Sequence, residues 1–138
     1  RLRSRGLGDV YKRQLWESGY LTGDMTQYEL ARAYYVWLCN NCVYDEGTVS
    51  SSSLSHLAYS ALVDGVAVCD GYTGAYDLLL RLEGIECTAL MNTDHIWTVA
   101  ELDGTTYHID TTWGDQGTRV DMSFFGMTEA QSRAKHAW

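Results

Sequence analysis

The chain passes from a short apolar run into an amphipathic helix at the stretch Gly65-Val-Ala-Val-Cys-Asp-Gly-Tyr72. The apolar periodicity predicts that this helix begins near Cys69 and runs to Leu82, with Gly84 placed to end it. The free amides and the dipole at a helix amino terminus favour negative charge, and so a thiolate over a thiol. Cys69 is therefore a candidate nucleophile. On its own it would also fit a buried structural cysteine.

Three strands are predicted after this helix, over residues 86–91, 95–102 and 105–110. The pair Asp103-Gly104 between the last two is a strong signal for a two-residue hairpin turn. Such a turn pairs Leu102 with Thr105, and the helices and antiparallel strands together indicate an α+β domain. Phe124 and Phe125 could add a strand, and Thr128 begins a final helix.

The hairpin register brings two polar side chains to one face of the sheet. It sets Trp97 opposite Asp110, so that His95 lies diagonal to Asp110 at roughly 7–8 Å. A three-residue loop would instead shift the register by one and place them on opposite faces. A carboxylate at this position could hold one ring nitrogen of His95 and leave the other for Cys69. His108 competes for the role of base, because it shares a predicted face with Asp110.

Most of the chain beyond Leu15 resembles the transglutaminase-like superfamily of papain-type cysteine enzymes, especially its bacterial members. The blocks that carry the resemblance are Val68-Cys69-Asp70-Gly71-Tyr72, His95-Ile96-Trp97 and Tyr107-His108-Ile109-Asp110 with Thr112-Trp113. They occur in the family's order, with Cys69 and His95 26 positions apart and Asp110 15 further on. The chain departs from the common family pattern at Ile96 and Thr98, where alanine and asparagine are usual.

The resemblance implies a papain-like fold in which the nucleophile helix packs on an antiparallel sheet. It implies Cys69 as nucleophile, His95 as base and Asp110 as the acid that orients the base, with no cofactor and no metal. Tyr59, Trp97 and Trp113 are expected to contact the substrate. The activity implied is acyl transfer on peptide or glutamine side-chain amides through a thioester, and the location is extracellular or at the cell surface.

The composition limits the kinds of partner that the chain is expected to bind. The 138 residues carry a net charge of −8, and the part from residue 14 onward holds 17 acidic and 5 basic residues. Nucleic acid is excluded as a partner, because phosphate binding needs a basic surface on the folded part. No apolar run is long enough to insert into a membrane. The expected partner is a protein or peptide substrate.

The basic segment 1–14 is expected to be a disordered tail or a foreign scar, and 15–138 the catalytic domain of a longer protein with further domains. Two other functions stay open: a cysteine peptidase that cuts backbone amides, and a catalytically silent binding or scaffold domain of a larger surface protein. Cys39 and Cys42 form a Cys-x-x-Cys pair, which suggests zinc or a redox pair only weakly without a second pair.

Overall fold

Five helices and two small sheets make up the computed structural model, which describes residues 2–44, 62 and 65–138. The elements in chain order are α1 (Leu2–Glu17), α2 (Gln27–Asn41), β1 (Val43–Tyr44), β2 (Val66–Ala67), α3 (Cys69–Leu82), β3 (Cys87–Met91), β4 (Ile96–Leu102), β5 (Thr105–Ile109), α4 (Thr111–Gly114), a 3₁₀ turn (Met122–Phe124) and α5 (Glu129–His136). Strands β3, β4 and β5 form an antiparallel sheet in that order, and β1 pairs with β2 in parallel.

The β4–β5 hairpin has the predicted register. Its turn is Asp103-Gly104, with φ of 52° and 83°, the two left-handed conformations that a tight two-residue turn requires. Leu102 pairs with Thr105, and the ladder continues to the end of β5. The side-chain faces follow from this pairing, so the register prediction is confirmed.

Helix α3 begins and ends where the sequence predicts. It starts at Cys69, and its buried side carries Tyr72, Tyr76 and Leu79. At its other end Gly84 adopts φ 73°, which lets Ile85 N–H donate back to the carbonyl of Leu80 at 3.1 Å. The helix packs between α2 and the sheet, chiefly on β4. The nucleophile candidate is thus fixed to the core by the helix it begins.

Helix α2 begins with a capping box. Thr26 Oγ1 accepts from the backbone of Glu29, and Glu29 Oε1 accepts from the backbone of Thr26 at 3.0 Å. The Asp103 carboxylate adds two bonds, from the N–H groups of Gln27 at 3.2 Å and Tyr28 at 3.1 Å. The hairpin turn therefore also stabilises the amino end of α2.

Two expectations differ from the structure. Residues 122–124 form a 3₁₀ turn rather than a strand at Phe124 and Phe125, because the Asp121 side chain accepts from Ser123 N–H at 2.9 Å and starts a turn. Residues 2–17 are helical rather than a disordered tail: Leu15 is buried, and Lys12 pairs with Glu83 at 2.9 Å. Whether that segment is foreign to the domain stays a prediction.

Other expectations fall on residues that the structure does not describe. Tyr59, an expected substrate contact, is one of them; from the sequence we also expect an exposed loop over 45–55 and a short helical turn over 56–63, of which the structure describes residue 62 alone. In the described part of the chain, every helix is too short or too polar to cross a lipid bilayer.

Replacing Asp103 by alanine should destabilise the domain by about 1–2 kcal/mol, because two helix amides lose their acceptor and alanine is strained at positive φ. Chemical denaturation should show a lower midpoint. Asp103→Asn is the matched control, since asparagine tolerates positive φ and keeps one acceptor oxygen. Asp103→Asn should lose less stability than Asp103→Ala. An unchanged midpoint for Asp103→Ala would mean that the turn does not support α2.

Candidate active site

His95 and Asp110 meet at the end of the hairpin opposite its turn. His95 lies immediately before β4, and Asp110 lies immediately after β5. The distance from His95 Nε2 to Asp110 Oδ2 is 2.8 Å, and the two side chains are 8% and 0% exposed. The diagonal placement expected from the register thus becomes a direct hydrogen bond. It is almost closed to solvent.

The Asp110 carboxylate accepts two further hydrogen bonds. It caps the short helix α4, where Oδ1 accepts from Trp113 N–H at 3.0 Å. Oδ2 also contacts His136 Nε2 at 2.8 Å. Burial on its own would raise the pKa of Asp110, but hydrogen bonds from His136 and His95 outweigh it and hold the pKa below its ordinary value. Asp110 is therefore a buried carboxylate ion.

The half-buried thiol of Cys69 lies beside His95. Burial lowers the pKa of His95, but hydrogen bonds with Asp110 and with Cys69 outweigh it and raise that pKa to about 9. Because Asp110 holds Nε2, Nδ1 is the ring atom left to face the sulfur. The Cys69 Sγ also lies 3.6 Å from Asp70 Oδ1. The structure therefore joins His95 to Asp110 directly, and Cys69 is near enough to shift the pKa of His95; the roles assigned to the three residues stay predictions.

Aromatic rings fix both histidines. Trp113 is half-buried and stacks on the His95 ring with 4.4 Å between centroids and 7° between planes. Trp97 stacks on His136 at 3.8 Å and 3°. Trp97 is fully buried, so it packs the site from inside and offers no open surface to a substrate. Trp113 is only half-buried and stays a predicted substrate contact.

His108, the competing base, does not contact Asp110. Its Nδ1 accepts a hydrogen bond from Trp97 Nε1 at 3.1 Å. Burial is the main reason that its pKa lies below the ordinary value. Nδ1 of His108 is occupied as an acceptor for Trp97, whereas His95 bonds Asp110 directly, so the geometry favours His95 over His108.

A family model described as the transglutaminase-like superfamily matches residues 16–138. The chain belongs to this superfamily. Membership supports a cysteine-dependent acyltransferase or peptidase, and it confirms the predicted family.

Two curated relatives share about a quarter of their aligned residues with this chain. Kyphoscoliosis peptidase from Homo sapiens is 24% identical over 106 residues, which are 64% of this chain and 16% of that protein. The protein of the same name from Mus musculus is 25% identical over 103 residues, 62% of this chain and 16% of its own length. The chain thus spans only a small part of these relatives.

A crystal structure of a TGase has the same fold. It matches with a TM-score of 0.63 at 16% identity, over 84% of this chain and 33% of that chain. This likeness confirms the predicted α+β class, with α3 packed on an antiparallel sheet. At this identity it shows the fold alone.

His136 is the site residue that the sequence analysis of this transglutaminase-like chain misses. It ends α5, four residues after Ser132, and both are buried on an otherwise exposed polar helix. A buried face made of serine and histidine could have been recognised from that four-residue spacing. Its partner Asp110 could not, because the contact joins positions 26 apart.

One group of possible metal ligands occurs among the described residues. Donor atoms of His95, Asp110 and His136 lie within 4.8 Å of one another. Their hydrogen bonds account for this proximity without an ion. Cys39 and Cys42 lie outside that group; both are buried free thiols, and burial raises the pKa of Cys42 to about 12. Among the described residues, no third ligand joins Cys39 and Cys42 in a group that could hold zinc.

The raised pKa of His95 predicts how stability depends on pH. The ordinary value is 6.5 and the folded value about 9, so the contribution is complete below pH 6.5 and is lost as the pH rises to about 9. This difference corresponds to about 3 kcal/mol, and solvent screening at the open part of the ring reduces the expected loss across the window to roughly 2 kcal/mol. Thermal unfolding measured at several pH values should show it.

His95→Gln is the comparison, because it removes the titrating ring, and its stability should change much less over the same window. Other groups with shifted pKa values affect stability outside this pH window: Asp77 contributes between pH 3.8 and about 6, and the Cys87 thiol above pH 9.0. Parallel curves for the two proteins between pH 6.5 and 9 would contradict the assignment.

Proposed function

We propose that this domain carries out thiol-dependent acyl transfer on peptide or glutamine side-chain amides. Cys69 is the nucleophile, His95 the acid and base, and Asp110 the group that orients His95. The observation that supports this proposal most is the double contact of His95, with Asp110 through Nε2 and with the Cys69 thiol. Superfamily membership supports the same class of chemistry.

The charges of the site suit this role. Since the pKa of His95 is raised to about 9, the ring carries a proton at neutral pH. A positive imidazolium beside the sulfur, together with the amino terminus of α3, favours the thiolate form of Cys69. The buried Asp110 carboxylate balances the ring charge and keeps the Nε2 proton in place. This is the resting state that a thiol nucleophile needs.

The proposed reaction begins with attack of the thiolate on the amide carbon. A carbon–sulfur bond forms, and the carbonyl oxygen takes the negative charge. The backbone N–H of Cys69 is one of the unpaired donors at the start of α3 and can stabilise this oxyanion. His95 then gives its Nδ1 proton to the leaving nitrogen, the carbon–nitrogen bond breaks, and a thioester remains.

The thioester has two possible acceptors. His95, now neutral, removes a proton from water or from an amine as either attacks the thioester carbon. Water regenerates the thiolate and gives hydrolysis or deamidation, whereas a lysine amine gives a crosslink. Trp113 packs on His95 and is half-buried, so we place it beside the acyl group. We place Tyr59 there as well, on the family resemblance alone.

A second candidate is cleavage of backbone amides, which uses the same three residues. The name of the related kyphoscoliosis peptidase favours it. A catalytically silent scaffold domain is less well supported, because such a domain would have no need to keep the Cys69, His95 and Asp110 contacts. Additional domains, an extracellular or cell-surface location and a protein substrate remain part of the proposal.

Replacing Cys69 by alanine should lower the rate on a glutamine peptide by a factor of at least about 10⁴, because the nucleophile is lost. The assay is mass spectrometry of the peptide with and without a primary amine. Deamidation or amine incorporation indicates acyl transfer at the side chain, and chain scission indicates a peptidase. Cys87→Ala is the matched control and should keep the activity.

Alkylation gives a test that needs no substrate. At neutral pH an alkylating reagent should label Cys69 before Cys39, Cys42 and Cys87, whose pKa values are all raised by burial. Mass spectrometry of the digested protein identifies the order. Equal labelling of all four thiols, together with no product from any peptide, would overturn the proposed function.

A further inference from the structure

We propose that His136 is a positioning residue for the reaction proposed above: by donating to the same Asp110 oxygen as His95, it fixes that carboxylate and limits its pull on the His95 proton. This inference rests on the proposed function. The geometry behind it is symmetric, because both Nε2 atoms lie 2.8 Å from Asp110 Oδ2. The side chains of His136 and Asp110 are both fully buried.

The carboxylate is held by three donors from three segments. Trp113 N–H from α4 binds Oδ1, while the rings before β4 and at the end of α5 bind Oδ2. With no solvent at the side chain, water cannot replace a missing donor. Removing His136 would leave His95 as the one donor on Oδ2 and Trp113 N–H on Oδ1. The position of the carboxylate would then be less firmly fixed, although its bond to His95 remains.

The hydrogen bonds also fix which nitrogen of His136 carries a proton. An ionised Asp110 can only accept, so Nε2 of His136 must donate. Its Nδ1 lies 3.0 Å from the hydroxyl of Ser132 and 3.0 Å from the backbone carbonyl of Ser132. In the neutral ring the hydroxyl can donate to Nδ1, and in the protonated ring Nδ1 donates to the Ser132 carbonyl; in both forms Nε2 keeps the proton that Asp110 requires. His136 therefore has no free nitrogen with which to act as a base.

Sharing one oxygen has an electrostatic consequence. A second donor spreads the negative charge of Asp110 and weakens its attraction for the His95 imidazolium. Without His136 the carboxylate should hold the imidazolium more strongly, so His95 would lose its proton at higher pH. The titratable groups that interact with this network are Cys69, Tyr35, Cys39 and His108, with Glu129 and Arg133 acting on His108.

Two substitutions separate the hydrogen bond from the packing. His136→Phe keeps a ring that can stack on Trp97 but has no donor. His136→Gln loses the ring but places an amide N–H where Nε2 lies. The control is His108→Phe, which removes a buried histidine that accepts from Trp97 Nε1 and makes no hydrogen bond with Asp110, although its charge acts on His136. All three should lower the melting temperature; only the first should change the chemistry of the site.

The experiment is the pH profile of Cys69 alkylation, followed by kcat and KM on a glutamine peptide. The upper limb of this profile is the change in alkylation rate at high pH, where His95 loses its proton. In His136→Phe this limb should move up by roughly one pH unit, the effect of one hydrogen bond to a charged group. Its kcat should fall by up to about 100-fold, with KM changed little. His136→Gln should bring the upper limb back toward the original pH, and His108→Phe should leave it in place.

A measurement on the unaltered protein supports the test if His136→Phe does not fold. With ¹⁵N-labelled histidine, NMR should show protonated Nε2 on both His95 and His136 at neutral pH. An unprotonated His136 Nε2, or a folded His136→Phe protein with the original upper limb and kcat, would overturn the inference and leave the proposed function intact. A Cys69 thiol in the unaltered protein that reacts no faster than Cys87 would overturn the proposed function itself.

Discussion

One buried negative charge organises this domain. An ionised carboxylate without access to water is stable only when protein donors replace its hydration. Asp110 obtains them from the turn before β4, the first turn of α4 and the end of α5. His95 and His136 lie 15 and 26 positions from Asp110, so satisfying this one side chain requires both the hairpin and α5 to be in place. The stability of the core and the geometry of the site therefore have a common origin.

The hairpin turn transmits this requirement to the rest of the structure. A slip of one residue would turn His95 to the opposite face of the sheet. Asp103 resists such a slip in two ways: it adopts the left-handed conformation of a two-residue turn, and its carboxylate binds the first amides of α2. The amino end of α2 thus helps to fix the register of the sheet, although it lies at the hairpin turn, opposite the end that carries His95 and Asp110.

Local signals account for what could be predicted. The start of α3 at Cys69 and the Asp103-Gly104 turn each depend on a few neighbouring residues, and the pairing of His95 with Asp110 follows from the turn. His136 could not be placed, because its partner is determined by how α5 packs. The helical segment over 2–17 was missed for a similar reason, since its contacts are with α2 and α3.

The two histidines on Asp110 differ in what their second nitrogen meets. In His136 the second nitrogen, Nδ1, is hydrogen-bonded to Ser132, and the His136 side chain is fully buried. His95 keeps 8% of its side chain accessible, and its second nitrogen faces a thiol. A general base must exchange protons with substrate and water, which a sealed ring cannot do. Burial therefore supports the proposed roles, in which His95 is the reacting group and His136 holds the carboxylate that both rings contact.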